Sequence, residues 1–140
     1  GALLSDLRAD YSITQVVTTS AFPRELVNNV LATLRSRCED FAAGPGAIAE
    51  EHAIDFSVEA RYPNQVWEID VPLRGDRFEN VADVSTLIED FHNVHEELFA
   101  FRDAHSEIEA VTWRVRVQCL AMGLHIHRSL HGAVQNLMSF

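Results

Sequence analysis

The clearest pattern in the chain is a pair of alternating segments between residues 53 and 73. Apolar side chains occupy every second position, as in β-strands that bury one face. Pro63-Asn64 separates the segments and predicts a turn, in which proline sets φ at the first corner and asparagine accepts a left-handed second corner. The segments therefore predict a β-hairpin, whose inward residues would be Ile54, Phe56, Val58, Ala60, Tyr62, Trp67, Ile69, Val71 and Leu73.

Two more strands and two helices are predicted around this hairpin. Residues 8–18 and 108–120 alternate in the same way and predict the first and last strands. In the last strand, the inward residues would be Val111, Trp113, Val115, Val117 and Cys119. A helix is predicted after Pro23, ending at Gly44-Pro45-Gly46 with a left-handed glycine cap, and a second helix is predicted to begin at Asp83. The apolar stripes of the helices are Leu26, Val27, Val30, Leu31, Leu34, Cys38 and Phe41, then Val84, Leu87, Ile88, Phe91, Val94 and Leu98.

This order of elements predicts an α+β fold of the βαββαβ type. Its simplest closure is a ferredoxin-like two-layer sandwich, with a four-stranded antiparallel sheet and both helices on one face. The outer face of the sheet would be charged and would carry Asp55, Glu59, Arg61, Glu68, Asp70, Arg114 and Arg116. We predict one domain over residues 1–122 and an apolar C-terminal tail over residues 123–140, which docks on a partner subunit.

Charge and composition narrow the range of partners. The chain has 140 residues and a formal net charge of −10, which disfavours binding to nucleic acid or to anionic membranes. No apolar run is long enough to span a bilayer and the N-terminus lacks a targeting pattern, so we expect a cytoplasmic protein. Cys38 and Cys119 are predicted to be buried free thiols.

The histidines are the first candidates for chemistry. His92 and His95 are three residues apart on the second predicted helix and are followed by Glu96, a spacing that a metal ion could use. However, His95 falls near the centre of the apolar stripe, which favours a hydrogen-bonded core histidine over a metal ligand. A second group in the tail consists of His125, His127 and His131, which alternate in a way that could also bind metal. No acidic or cysteine residue lies nearby, and polar residues of a tail at an interface explain them as well. We therefore assign no metal ligand.

No catalytic constellation is visible in the sequence. Arg61 and Glu68 flank the predicted turn and could pair across the strands. There is no Ser-His-Asp order and no glycine-rich phosphate loop, so we assign no catalytic and no cofactor-binding residue.

Four ordered segments of the chain resemble motifs of the hydantoinase A family. Residues 61–73 resemble its RYxGQ-x-x-EL-x-VPL stretch, with Asn64 in place of the turn glycine. Residues 92–101 resemble its H-x-x-HE-x-x-YGY helix, with Phe99-Ala100-Phe101 in place of YGY. Residues 1–12 are similar to its G-x-LL-x-D-x-R-x-DY segment, and residues 108–115 to its VE-x-V-x-x-RV strand. The resemblance covers nearly the whole chain.

This resemblance carries expectations about function. The family includes N-methylhydantoinases, oxoprolinases and the acetone and acetophenone carboxylases, and the chain is most similar to a free-standing late hydantoinase A domain, the γ subunit of acetophenone carboxylase. It implies a small, non-catalytic assembly subunit of an ATP-dependent ketone carboxylase, a carbon–carbon ligase that converts acetophenone and bicarbonate to benzoylacetate. Large hydantoinase A-like and hydantoinase B-like subunits would be the partners, and they would bind ATP and Mg²⁺, with no cofactor in this chain.

Two alternatives stay open at this stage. The turn residues Arg61, Gln65 and Glu68 could enter a partner's active site in a hydantoinase-type ATP-dependent hydrolase, or the chain could be a stand-alone metal-binding module. The residues that the motifs single out for partner contact or for structure are Arg61, Tyr62, Gln65, Glu68, His92, His95 and Glu96.

Overall fold

The architecture was determined from a computed structural model, which describes residues 7–44 and 51–120. One sheet contains the strands β1 (Leu7–Thr18), β2 (Glu51–Arg61), β3 (Ile69–Pro72) and β4 (Glu109–Leu120). The helices are α1 (Arg24–Ala43), which follows a short 3₁₀ turn at Thr19–Ala21, and α2 (Val81–Phe99). The predicted α+β sandwich of βαββαβ order is confirmed.

The strand order in the sheet is β1-β4-β2-β3, and every neighbouring pair is antiparallel. The last strand therefore lies between the first two, so that residues from the beginning, middle and end of the described chain pair side by side. Both helices contribute to one buried cluster with the inner face of the sheet, which places them on the same side. The largest of its fully buried side chains are those of Trp113, Phe91, Leu31 and Leu34.

Irregular pairing shapes both sides of β4. The register between β1 and β4 shifts between Thr14 and Val17, and the carbonyl of Gln15 in this bulge accepts the indole N–H of Trp113 at 2.9 Å. On the other side, the register between β2 and β4 shifts between Glu59 and Ala60.

That second shift corrects the inward face predicted for β4. Ala110 is buried and Val111 is only half-buried, although the alternation had predicted that Val111 would share a face with Trp113. A bulge inserts one extra residue into a strand, so side chains before the bulge point to the opposite face from the one that alternation predicts. The other four predicted residues of this face are buried.

The second half of the hairpin is shorter than predicted. β3 begins at Ile69, so residues 66–68 belong to the connection between the strands. Trp67 was predicted to point inward but is 46% exposed, because the pairing of β2 with β3 ends at Ala60 and Ile69. The predicted turn is present, since the Gln65 N–H donates to the Tyr62 carbonyl at 2.9 Å. The left-handed corner predicted at Asn64 is wrong, because its φ is not positive.

The helix ends also differ in detail from the prediction. The φ of Gly44, which ends α1, is −103°, so the predicted left-handed glycine cap is not found at this residue. α2 begins at Val81, two residues before the predicted Asp83, because the side chains of Asn80 and Asp83 form a capping box. Of the residues predicted for the helix stripes, Leu26 and Leu98 are exposed.

The end of α2 carries the one non-glycine residue with a positive φ in the described ranges. Ala100 has φ 66° and ψ 14°, a left-handed conformation, and its N–H donates to the Glu96 carbonyl at 2.8 Å. This conformation normally favours glycine, because the Cβ atom crowds the following carbonyl oxygen. An alanine at this position therefore introduces strain.

The outer face of the sheet is charged, as predicted for the strand residues. Arg116 pairs with Asp10 at 3.0 Å and Arg114 with Glu59 at 3.3 Å. The two cysteines are buried and free, as predicted. No helix within the described ranges is long and apolar enough to cross a membrane. The predicted tail and its three histidines lie outside the described residues.

Candidate functional site

The motif residues meet where the turn after β2 packs against the last half of α2. β2 ends at Arg61, and the next residue, Tyr62, is buried against the helix. His92 and His95 are on one side of α2 because residues three apart are neighbours on a helix surface. Both histidines are buried, with His92 3% exposed and His95 fully enclosed.

The first contact joins Tyr62 to His92. The Tyr62 hydroxyl lies 2.7 Å from Nδ1 of His92 and accepts the backbone N–H of Asp103 at 3.0 Å. Because the hydroxyl already accepts one hydrogen bond, its own proton is available for donation to Nδ1. This assignment places the imidazole proton of neutral His92 on Nε2.

The second contact joins Gln65 to His95. Nδ1 of His95 lies 2.9 Å from the Phe101 carbonyl, which can only accept, so Nδ1 carries the proton. Nε2 then accepts from the side-chain amide of Gln65 at 2.6 Å. The amide oxygen of Gln65 in turn accepts the Tyr62 N–H at 3.3 Å. Every polar atom of the His95 ring is therefore bonded.

Aromatic rings enclose this polar network. The ring of His95 lies 4.6 Å from Tyr62, 4.9 Å from Phe99 and 4.8 Å from Phe101, measured between ring centroids. Desolvation by this enclosure raises the pKa of the Tyr62 hydroxyl and lowers the pKa of His92, since each charged form loses hydration. Both groups are therefore neutral at pH 7.

Arg102 fastens the segment after α2 onto the outside of the helix. Its guanidinium group bonds to Glu89 at 3.0 Å, Asn93 at 2.6 Å and Glu96 at 2.7 Å. Glu96 is thus exposed and ion-paired, away from the two histidines.

Two more of the singled-out residues, besides Glu96, lie outside the network. Arg61 bonds to Glu109 at 3.0 Å on the neighbouring strand, and the predicted pair between Arg61 and Glu68 is not formed. Glu68 is exposed in the connection before β3. The structure therefore brings together Tyr62, Gln65, His92 and His95, and separates Arg61, Glu68 and Glu96 from them.

The arrangement is suited to holding the turn after β2 and the segment after α2 against the helix. Three of the four imidazole nitrogens have protein partners, and Nε2 of His92 has none among the described residues. Within the same ranges, no group of three or more His, Cys, Asp or Glu residues could hold a metal ion. The preference for a hydrogen-bonded core histidine at His95 is confirmed by its two hydrogen bonds.

Sequence reasoning missed the partners that come from the segment after α2. These are the Phe101 carbonyl, the Asp103 N–H and the Arg102 side chain. The contacts of backbone groups cannot be read from residue type. Only the Arg102 side chain had a signal in the sequence, because it follows the acidic residues of the helix.

Comparison with known proteins finds that this chain is similar to a small part of larger enzymes. No protein-family profile matches the chain. Caprolactamase subunit alpha of Pseudomonas jessenii is 30% identical over 118 residues, which cover 79% of this chain and 16% of that subunit. The crystal structure of the ATP-dependent caprolactamase from Pseudomonas jessenii superposes with a TM-score of 0.75 and 28% identity, over 83% of this chain and 17% of the matched chain.

A more distant solved structure shares the fold alone. The nucleotide-free acetone carboxylase superposes with a TM-score of 0.54 and 14% identity, over 85% of this chain and 18% of that one. The chain thus spans less than one fifth of the length of each of these relatives. We conclude that it is homologous to a small part of the caprolactamase alpha subunit and has the same fold as that part.

Proposed function

We propose that this chain is a non-catalytic assembly module of a large, hydantoinase-type ATP-dependent enzyme. One observation carries the proposal, namely that four polar side chains of its motifs form hydrogen bonds in pairs between the turn and the helix. Tyr62 bonds to His92 and Gln65 to His95, which ties the hairpin turn to α2. Groups used in this way stabilise a shape that a partner recognises.

The size of the relatives supports a role within a larger assembly. The chain corresponds to 16% of the caprolactamase alpha subunit and 17% of the matched crystal-structure chain. In our proposal, large hydantoinase A-like and hydantoinase B-like subunits supply the remainder, and the ATP and Mg²⁺ sites belong to them.

For the reaction of the assembly, we place ATP-dependent hydrolysis of a ring amide first. The support is the similarity to the caprolactamase, which holds in sequence and in structure. Carboxylation of a ketone, of the type that forms benzoylacetate from acetophenone and bicarbonate, is the second candidate. Its support is the fold shared with acetone carboxylase. Both reactions act on a carbonyl group.

Co-purification tests the proposal. The chain is tagged in its native host, and the recovered complex is sized and its subunits identified. We expect large hydantoinase-type polypeptides and an ATPase activity that is stimulated by a lactam. Stimulation by an aromatic ketone with bicarbonate would instead select the carboxylase. Recovery of a lone monomer or of a homo-oligomer would contradict the proposed function.

One substitution distinguishes the assembly role from the alternative in which the turn enters a partner's active site. Arg61→Ala removes an outer-face ion pair with Glu109 and should leave both assembly and turnover unchanged. Arg114→Ala, which removes the pair with Glu59 on the same face, is the matched control. Loss of turnover by Arg61→Ala alone, in a fully assembled complex, would favour the active-site role.

The metal-binding alternative is tested on the purified chain. Elemental analysis of freshly prepared protein should find no stoichiometric metal. A tightly bound metal ion at one equivalent, lost on His92→Asn substitution, would reinstate that alternative.

A further inference from the structure

Exposed apolar residues gather beside the polar network. Two segments contribute them, the connection before β3 and the end of α2 with the residues after it. We call this surface the aromatic patch, and its members are Val66, 83% exposed, Trp67, 46%, Leu98, 60%, Phe99, 38%, and Phe101, 53%. The rings of Trp67 and Phe99 lie 5.6 Å apart, so the two segments form one continuous surface.

His95 fixes the geometry of this patch from beneath. Its ring contacts Phe99 and Phe101, and its two nitrogens bond to the Phe101 carbonyl and to Gln65. Both segments are therefore held in register before any partner binds. Preorganised aromatic side chains bind with a smaller loss of conformational entropy, and they are enriched at the centres of protein interfaces.

The charges around the patch indicate the chemistry of its partner. Glu68 follows Trp67 and Glu97 precedes Leu98, and both carboxylates are exposed. Neither makes a hydrogen bond or an ion pair within the part of the chain that the structure describes, whereas Glu89 and Glu96 nearby are paired with Arg102. A complementary surface would have an apolar pocket with lysine or arginine at its rim.

The last described residue, Leu120, lies far from the patch. The patch lies near the end of the sheet where Arg61 pairs with Glu109, and β4 leads away from this end to Leu120. Twelve extended residues span about 37 Å. Within the described residues, β4 therefore ends at the opposite end of the sheet from the patch.

We propose that the aromatic patch is the surface through which this chain docks on its large hydantoinase-type partner, in an apolar pocket rimmed by basic residues. The inference rests on the proposed function, because that function supplies the partner. It adds which surface is used and which chemistry faces it.

The test compares tagged variants in the native complex. Trp67→Ser should weaken the affinity for the large partner by at least about 30-fold, since a central aromatic contributes as a hot spot. Phe101→Ser should act in the same direction. Leu26→Ser, an exposed apolar residue on α1, is the matched control and should leave the affinity unchanged. Thermal melting of each free chain checks that the fold is retained.

The rim is tested separately from the patch. The double variant Glu68→Gln, Glu97→Gln should associate with the partner several-fold more slowly than the wild type at low salt, because exposed charges act mainly on the association rate. At high salt the two rates should be equal, because salt screens the charges. Association of the double variant at the wild-type rate at low salt would overturn the basic rim.

The outcomes separate this inference from the proposed function. If the wild-type chain recovers no hydantoinase-type partner, the proposed function fails and the inference fails with it. If the partner is recovered equally by Trp67→Ser and by Leu26→Ser, only the docking surface is overturned.

Two further results would overturn the inference by naming another occupant of the patch. A free chain that forms dimers which Trp67→Ser dissolves would assign the patch to a second copy. Protection of Trp67 from acrylamide in the free full-length chain, measured against Trp67→Phe, would assign it to the chain's own tail.

Discussion

The hydroxyl of Tyr62 lies 2.7 Å from Nδ1 of His92, so a buried hydrogen bond joins the hairpin turn to α2. The same hydroxyl accepts the backbone N–H of Asp103. One oxygen atom thus ties together three segments that are separate in the sequence, and the fold around the motif depends on it.

Removing that oxygen should be costly. Tyr62→Phe leaves Nδ1 of His92 and the Asp103 N–H without a partner in a desolvated region, so we expect a loss of about 1–3 kcal/mol in the free energy of unfolding. Urea denaturation measures it. Tyr11→Phe is the matched control, because Tyr11 is only half-buried and should change stability by less than about 0.5 kcal/mol. Equal effects at the two positions would show that the hydrogen bonds of Tyr62 contribute little.

The stability should also depend on the protonation of His92. Desolvation lowers its pKa in the folded chain, and Arg102 lowers it further, against the opposing effect of Glu89 and Asp103. Below the ordinary pKa of about 6.5, the unfolded chain therefore binds more protons than the folded chain. The contribution of neutral His92 is fully present above that pH and is lost as the pH falls towards the lowered value.

Denaturation of the wild type and of His92→Asn between about pH 7.5 and about pH 5, a range that includes that pKa, checks this prediction. Asparagine keeps an acceptor for Tyr62 but does not titrate. The difference in stability between the two chains should narrow as the pH falls. A constant difference would contradict the assigned role of His92.

Ala100→Gly should stabilise the chain. Ala100 adopts φ 66°, where the Cβ atom is strained by about 1–2 kcal/mol, and glycine removes that strain at a smaller entropic cost in the unfolded state. We expect a net gain of about 0.5–1 kcal/mol, read from the thermal midpoint. Ala32→Gly, at an exposed position inside α1, should destabilise by a similar amount. Destabilisation by both substitutions would show that the αL strain at Ala100 is already relieved.

The two thiols should be unreactive in the native chain. Cys38 and Cys119 are fully buried, and desolvation raises the pKa of each thiol above its ordinary value, so little thiolate is present at neutral pH. An aromatic disulfide reagent should label both only at the rate of unfolding and should react with both at once in denaturant. Rapid labelling of either thiol in native buffer would show local opening near the ends of α1 and β4.

Local patterns determined most of the secondary structure. β1 and β4 occur within one residue of their predicted bounds, because alternation over a dozen residues fits only a strand with one buried face. The capping box of α2 was also present in the sequence as Asn80 and Asp83, yet the helix start was predicted two residues late. The left-handed conformation of Ala100 was not predicted, because an alanine gives no local signal for it.

The same reasoning failed where the outcome depends on the neighbouring strand. The bulge beside Ala60 exchanged the faces around Val111, and the early end of the pairing between β2 and β3 left Trp67 on the surface. Alternation describes one strand alone, whereas a bulge or the end of a ladder is set by two strands together.

By itself, the sequence determined the elements, their order, the α+β class and the burial of His95. Each of these follows from the spacing of apolar residues within a single helix or strand. Only the tertiary structure decided the strand order, the pairing of Tyr62 with His92 and of Gln65 with His95, and the exposure of the aromatic patch. In both pairs the partners are 30 residues apart, and one of the two lies in a turn without its own periodicity. Contacts of this kind arise from packing two layers on one core, which no local pattern records.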